Sequence, residues 1–157
     1  KALISKHGDY LSTLAENNKV NLEFEASVAG GIPILRTIKE GLATNKIHKV
    51  YGILNGTCNY ILSEMEKTND NFKNVLKKAQ KLGYAESDPS FDVGGNDAAH
   101  KISILAMLAF KIKSPFITVS SKMTDLTPAE SSPCPAVIKE PTAAESINAL
   151  ILFEASL

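Results

Sequence analysis

At 157 residues and 44% apolar content, the chain has enough material for one domain with a real core, or one domain and a tail. Seventeen basic and seventeen acidic residues cancel, which leaves no charged field suited to nucleic acid or to an anionic membrane surface. No apolar run reaches the roughly 20 residues of a membrane helix. Lys1 opens the chain without a methionine or a leader-like segment, so the reading expects no membrane partner, no signal peptide and a piece of a longer polypeptide.

Leu3, Ile4, Tyr10, Leu11, Leu14 and Ala15 recur at helical spacing and predict a helix over 3–16, weakened at Gly8 and ended by Asn17-Asn18. Val20, Leu22, Phe24, Ala26 and Val28 alternate with polar residues and predict a strand over 20–28. Ala29-Gly30-Gly31 is a tight turn, and Pro33 suits the first turn of a helix running to about Lys39 and stopped near Gly41. Residues 47–54 hold Val50, Tyr51 and Ile53 and read as a second strand.

Asn55-Gly56-Thr57 breaks that strand and starts a helix whose apolar face is Tyr60, Ile61, Leu62 and Met65. Asp70-Asn71 offers an N-cap for a helix over 72–82, closed by Gly83. Residues 84–93 read as loop, with Asp88-Pro89 forcing an extended turn. A long helix then opens at Gly95 or Asn96 and runs to about Phe110, with Ile102, Leu105, Ala106 and Ala109 at helical spacing. After Lys113 the chain turns rich in Pro, Ser and Thr. A strand over 116–119, a loop or flexible tail over 125–141 and a last helix over 143–153 are predicted there. The domain reading is therefore 1–113, followed by a divergent segment over 114–157.

Cys58 and Cys134 are far apart, form no Cys-x-x-Cys and have no neighbouring histidine. That fits a reducing, cytoplasmic compartment, and Cys58 reads as a small buried apolar group. His7, His48 and His100 lack metal-ligand spacing.

The chemistry concentrates between Ala79 and Lys101, where Glu86, Asp88, Asp92 and Asp97 precede the lysine. Asp97 and Lys101 stand one turn apart on one helix face. Alone, such a pair is a surface ion pair worth about 0.3 kcal/mol. Directly after an acidic loop, it also suits a lysine that positions or donates a proton to a small amino-acid-like ligand. Glu86 and Asp92 read as ammonium ligands, and Asp88 before Pro89 as a turn former. A divalent cation on these acids is an alternative, although the spacing is not that of an EF-hand. The turn from Val28 to Pro33 is either turn chemistry or backbone groups aimed at an ion or phosphate. Residues 55–59 are either a capped helix start or a carboxylate-binding helix N-terminus.

The run Ala79, Gly83, Tyr84, Ala85, Asp88, Pro89, Asp92, Val93, Gly95, Asp97, Lys101 resembles the signature segment of homoserine dehydrogenases. Residues 25–33, residues 52–62 and the opening Lys1–Gly8 resemble flanking stretches of that family, in the same order. The resemblance covers about residues 1–110. It implies an α+β fold, a mixed β-sheet with helices packed on one face, and a homodimer paired through that sheet. It implies interconversion of L-homoserine and L-aspartate 4-semialdehyde with NAD or NADP, in threonine and methionine biosynthesis.

By that resemblance Lys101 is the lysine that protonates the carbonyl oxygen as hydride arrives. Lys1 is a second active-site lysine beside substrate and nicotinamide. Glu86 is a substrate ligand, and Asp92 and Asp97 support the substrate's amino end or Lys101. Gly83 lies where backbone approaches the cofactor. Glu25, Val28, Gly30 and Ile32 match a monovalent-cation site for Na+ or K+, built mostly from backbone carbonyls. The family's Rossmann half is absent, residues 111–157 depart from its usual continuation, and Cys58 stands where threonine is common. The chain is therefore expected to be the substrate and dimerisation region, inactive in isolation. The alternative is a non-catalytic fragment or assembly module that keeps the fold without a cofactor site.

Overall fold

The computed structural model describes residues 1–112 and the strands 136–139 and 152–155. The expected strand over 116–119, Cys134 and all but the last two residues of the expected helix over 143–153 lie outside the described residues. In chain order the elements are α1 (Ala2–Asn17), a 3-10 turn (Glu25–Ser27), α2 (Ile34–Arg36) running into a π turn (Thr37–Gly41), β1 (Ile47–Gly52) and α3 (Gly56–Thr68). Then follow α4 (Phe72–Lys81), α5 (Ser90–Val93), α6 (Asn96–Phe110), β2 (Ala136–Lys139) and β3 (Leu152–Ala155). Among the described residues, no helix is long and apolar enough to cross a membrane.

Local chemistry sets most of the boundaries. Asn55 caps α3, its side chain accepting from the Cys58 N–H, and α3 closes on Asn69 in the left-handed conformation (φ 53°). Asn71 caps α4 by accepting from the Asn74 N–H, and the left-handed Gly83 (φ 80°) follows its end. Gly95, with φ 77°, turns the chain from α5 into α6. Helix α1 breaks at His7 (φ −133°, ψ 16°). A Cβ on the neighbouring Gly8 would stand 2.8 Å from the Met107 Sδ, so the glycine is what lets α1 lie close against α6.

The expected strand over 20–28 is not formed. Residues 20–24 have no regular structure and Glu25–Ser27 form the 3-10 turn. Leu22 and Phe24 are instead half-buried against the core. Alternation reports which side chains need covering, and here the covering comes without a strand ladder. The expected loop over 84–93 contains α5, because Asp88 accepts from the Ser90 N–H and turns the chain after the Asp88-Pro89 bend.

The sheet has the order β2-β1-β3. Both pairings are antiparallel, so among the described residues it is not the mixed sheet that was expected. Residues 136–139, expected in a loop or tail, are β2, and residues 152–155 form β3 where a helix was expected to end. Their pairing partner β1 is remote in sequence, and no local pattern announces such a ladder. An irregularity between Ile47 and Lys49 breaks the strict alternation of β1, so Ile47 and Val50 are both buried although they lie three residues apart.

Two apolar clusters hold the fold. Ile4, Val28, Leu35, Ile38, Ile47, Val50, Ile102, Ile104, Leu105 and Ala106 join α1, α2, β1 and α6. Ile61, Met65, Val75, Ala79, Ala85 and Val93 join α3, α4 and α5. Between them, the 53–58 connection from β1 to α3 meets the N-terminal turn of α6.

Candidate active site

Asp97 is the centre of the site. It sits in the first turn of α6 and is only 5% exposed. A buried carboxylate requires hydrogen-bond partners, and three converge here. The Lys1 amine donates to Oδ1. The Lys101 amine donates to Oδ2 at 2.8 Å, and the Asn55 side-chain amide donates to the same oxygen at 2.9 Å. Burial by itself pushes the carboxyl up. The bonds from Lys1, Lys101 and Asn55 more than offset that and hold it down at about 2.

The Lys101 amine also donates to the Leu54 carbonyl at 2.6 Å. An ammonium carries three N–H donors, so one remains for a ligand. Lys1 stands over the Phe91 ring, 5.4 Å from its centre. Both lysines line a cleft of about 940 Å³ whose other wall includes Leu22, Phe24, Glu25, Ser27, Ala29 and Gly30. The structure thus brings Lys1, Asp97 and Lys101 together, and sets the Glu25–Gly30 turn across the cleft from them.

Asp92, on α5, is clamped by the start of α3. Asn55 donates to its Oδ1 at 2.8 Å and the Cys58 thiol to its backbone carbonyl at 3.3 Å, while the single Thr57 hydroxyl proton goes to the Tyr84 carbonyl at 2.8 Å, with the Asp92 Oδ2 farther off at 3.2 Å. The Glu86 carboxylate joins none of these bonds. Its residue is exposed, and only its backbone carbonyl is held, by Gln80. Burial, then the charges of Asp92 and Asp97, push the Cys58 thiol up to about 12, which fits a packing residue. The His100 ring meets Phe91 at 5.6 Å and its pKa is lowered, first by burial and then by Lys1 and Lys6.

The cation-site residues have a different geometry. The Glu25 carboxylate accepts from the Leu35 and Arg36 N–H groups, both at 2.9 Å, and so caps α2. Ala29 and Gly30 both turn left-handed, at φ 60° and 58°. Ile32 is exposed, and Val28 is buried in the core. Among the described residues, no three His, Cys, Asp or Glu side chains group as a metal site.

At Gly83, as at Gly30, Gly31 and Gly56, a Cβ would meet nothing within 4 Å. Beside Gly83 the Tyr84 ring stacks on Tyr60 at 4.5 Å. Asn55 and Thr57 are the working residues that sequence reasoning left off the site. The available signal was their place at a strand-to-helix junction, read only as a cap or an anion-binding turn.

A sequence profile of the homoserine dehydrogenase family matches residues 33–148, a range that continues past residue 113. The chain is 54% identical over 110 residues to a homoserine dehydrogenase of Neisseria gonorrhoeae, covering 70% of this chain and 25% of that protein. It thus spans about a quarter of the length of the curated relatives it matches. The crystal structure of a homoserine dehydrogenase from Thiobacillus denitrificans superposes with a TM-score of 0.83 at 40% identity, over 89% of this chain and 35% of that one. A hyperthermophilic archaeal homoserine dehydrogenase in complex with NADPH shares the fold, with a TM-score of 0.75 at 24% identity, over 87% of this chain and 42% of that one. The profile match over most of its length and the shared fold lead to one conclusion: the chain belongs to the homoserine dehydrogenase family.

Proposed function

We propose that this chain is the substrate-binding and proton-transfer region of an NAD(P)-dependent dehydrogenase that interconverts L-homoserine and L-aspartate 4-semialdehyde. The observation that carries the reading is the convergence of the Lys1 and Lys101 amines on Asp97 at one cleft. Reduction of an aldehyde places negative charge on its oxygen as hydride adds to carbon. An ammonium with one uncommitted N–H beside that oxygen stabilises the charge and then delivers the proton. Lys101 is in that condition, because Asp97 and Leu54 hold two of its three donors and fix the direction of the third. Lys1 adds a second cation on the same cleft.

Glu86, with an uncommitted carboxylate, is the ligand for the substrate's ammonium. Asp92, held by Asn55, supports the site from behind. A bound nicotinamide supplies or accepts the hydride, and Gly83 is the position for its close approach. The rest of the dinucleotide site belongs to a Rossmann half outside this chain, so the isolated chain is expected to be inactive. Its place is threonine and methionine biosynthesis in the cytoplasm, as part of a homodimer. The left-handed turn at Ala29 and Gly30 is the position for a Na+ or K+ ion bound by carbonyls.

The test is Lys101→Ala in the full-length enzyme. Turnover should fall by about 10²–10⁴ while the fold is kept. Near-normal turnover would overturn the role of Lys101. Because the chain spans only a quarter of its relatives, a second reading is a non-catalytic module. Calorimetric titration of this chain with homoserine, repeated with Glu86→Ala, separates the two. Binding lost in the variant places a working amino-acid pocket within this chain. Absence of binding in both favours the module.

A further inference from the structure

We propose that Asn55 is a positioning residue, whose side-chain amide sets where the Asp97 carboxylate stands and, through it, the Lys101 amine. The inference rests on the proposed role of Lys101. A side-chain amide has one acceptor oxygen and two N–H donors, and all three are engaged. The oxygen accepts from the Cys58 N–H at 2.8 Å, which fixes the orientation of the amide. Its Nδ2 is thereby aimed at the acids, and donates to Asp92 at 2.8 Å and to Asp97 at 2.9 Å.

Residue type at position 55 follows from this arrangement. Capping α3 needs only an acceptor, and Asp, Ser or Thr would serve. Standing between two carboxylates while capping needs two donors and one acceptor on a short stem, which only Asn supplies. The amide also stands between the two carboxylates and donates to both. The same dipeptide grips the lysine: the Leu54 carbonyl holds its amine, and the Asn55 amide binds the carboxylate oxygen that amine donates to. Asp92 is braced in turn by the Cys58 thiol at its backbone carbonyl, so the amide is anchored on α3 and aligned by α5 and α6.

The groups facing Asp97 are Lys1 at the start of α1, Lys101 and His100 on α6, Asp92 on α5, and Asn55 and Cys58 at the start of α3. The decisive variant is Asn55→Ser, which keeps a cap acceptor, removes both amide donors and adds no charge. Carbon-13 NMR of the Asp97 carboxyl in this chain reads the outcome without any turnover. The titration midpoint should rise by about one pH unit or more. A midpoint moved by less than a few tenths of a unit overturns the proposal. If Asn55→Ser does not fold, the unmutated chain decides. Both Asn55 amide protons should exchange slowly with water and shift as Asp97 titrates, and fast exchange without such a shift overturns it. Loss of the Lys101 reading would appear in turnover, and loss of this one in the titration.

Discussion

The Leu54 carbonyl and the Lys101 amine are 47 positions apart in sequence and 2.6 Å apart in space. That bond ties the end of the strand connection to the second turn of α6. With Asp97 one turn earlier on the helix, it leaves the lysine little freedom. The amine is therefore placed by backbone and by a buried acid, both more rigid than a surface side chain would be.

The Asp97 carboxyl is held near 2 in the fold and titrates at about 3.9 in an unfolded chain. Its pKa is depressed on folding, so its contribution is fully present above pH 4 and is lost as pH falls from about 4 to about 2. A shift of this size corresponds to about 2 kcal/mol. Urea unfolding at pH 5 and pH 2 should show the parent chain losing about that much more than Asp97→Asn. Equal losses in the two proteins would refute the buried, hydrogen-bonded carboxylate.

Glu25 caps two backbone N–H groups of α2. Glu25→Ala should lower stability by about 1 kcal/mol, read as a lower urea midpoint with an unchanged slope. Glu25→Gln keeps an acceptor and should recover part of the loss. An unchanged midpoint in Glu25→Ala would remove the cap from the account.

Cys58 is half-buried, with its thiol pushed up to about 12. At pH 8 its thiolate fraction is on the order of 10⁻⁴, and the thiolate is the reactive form. Iodoacetamide at pH 8 should leave the Cys58 peptide unmodified in the native chain and label it fully in urea, as read by peptide mass spectrometry. Rapid labelling of Cys58 in the native state would contradict the packing described.

The helices were legible because each carries its own punctuation. Asn71 and Gly83 bracket α4, and Gly95 opens α6, all within one turn of the structure they specify. Asp97 and Lys101 were legible as a pair because helix periodicity fixes the neighbours of each residue. The strands were less legible, since Val20–Val28 has the alternation without a ladder, while 136–139 has a ladder without a clear signal. Asn55 escaped notice for a related reason. Its cap is local and readable, but the two acids it bridges are 37 and 42 residues away. Lys1 joins Asp97 across 96 residues, and only the family resemblance pointed to that lysine.

These separations bear on the order in which the molecule assembles. The cluster between α3 and α4 closes over a short stretch of chain and has little entropy to overcome. The contact from Lys1 to Asp97 closes across 96 residues. During folding, the helical hairpin is thus the early product and the two-lysine cleft the late one. The chemistry proposed for this site therefore waits on a long closure, of the same order as the pairing of Ile47 with Ala155.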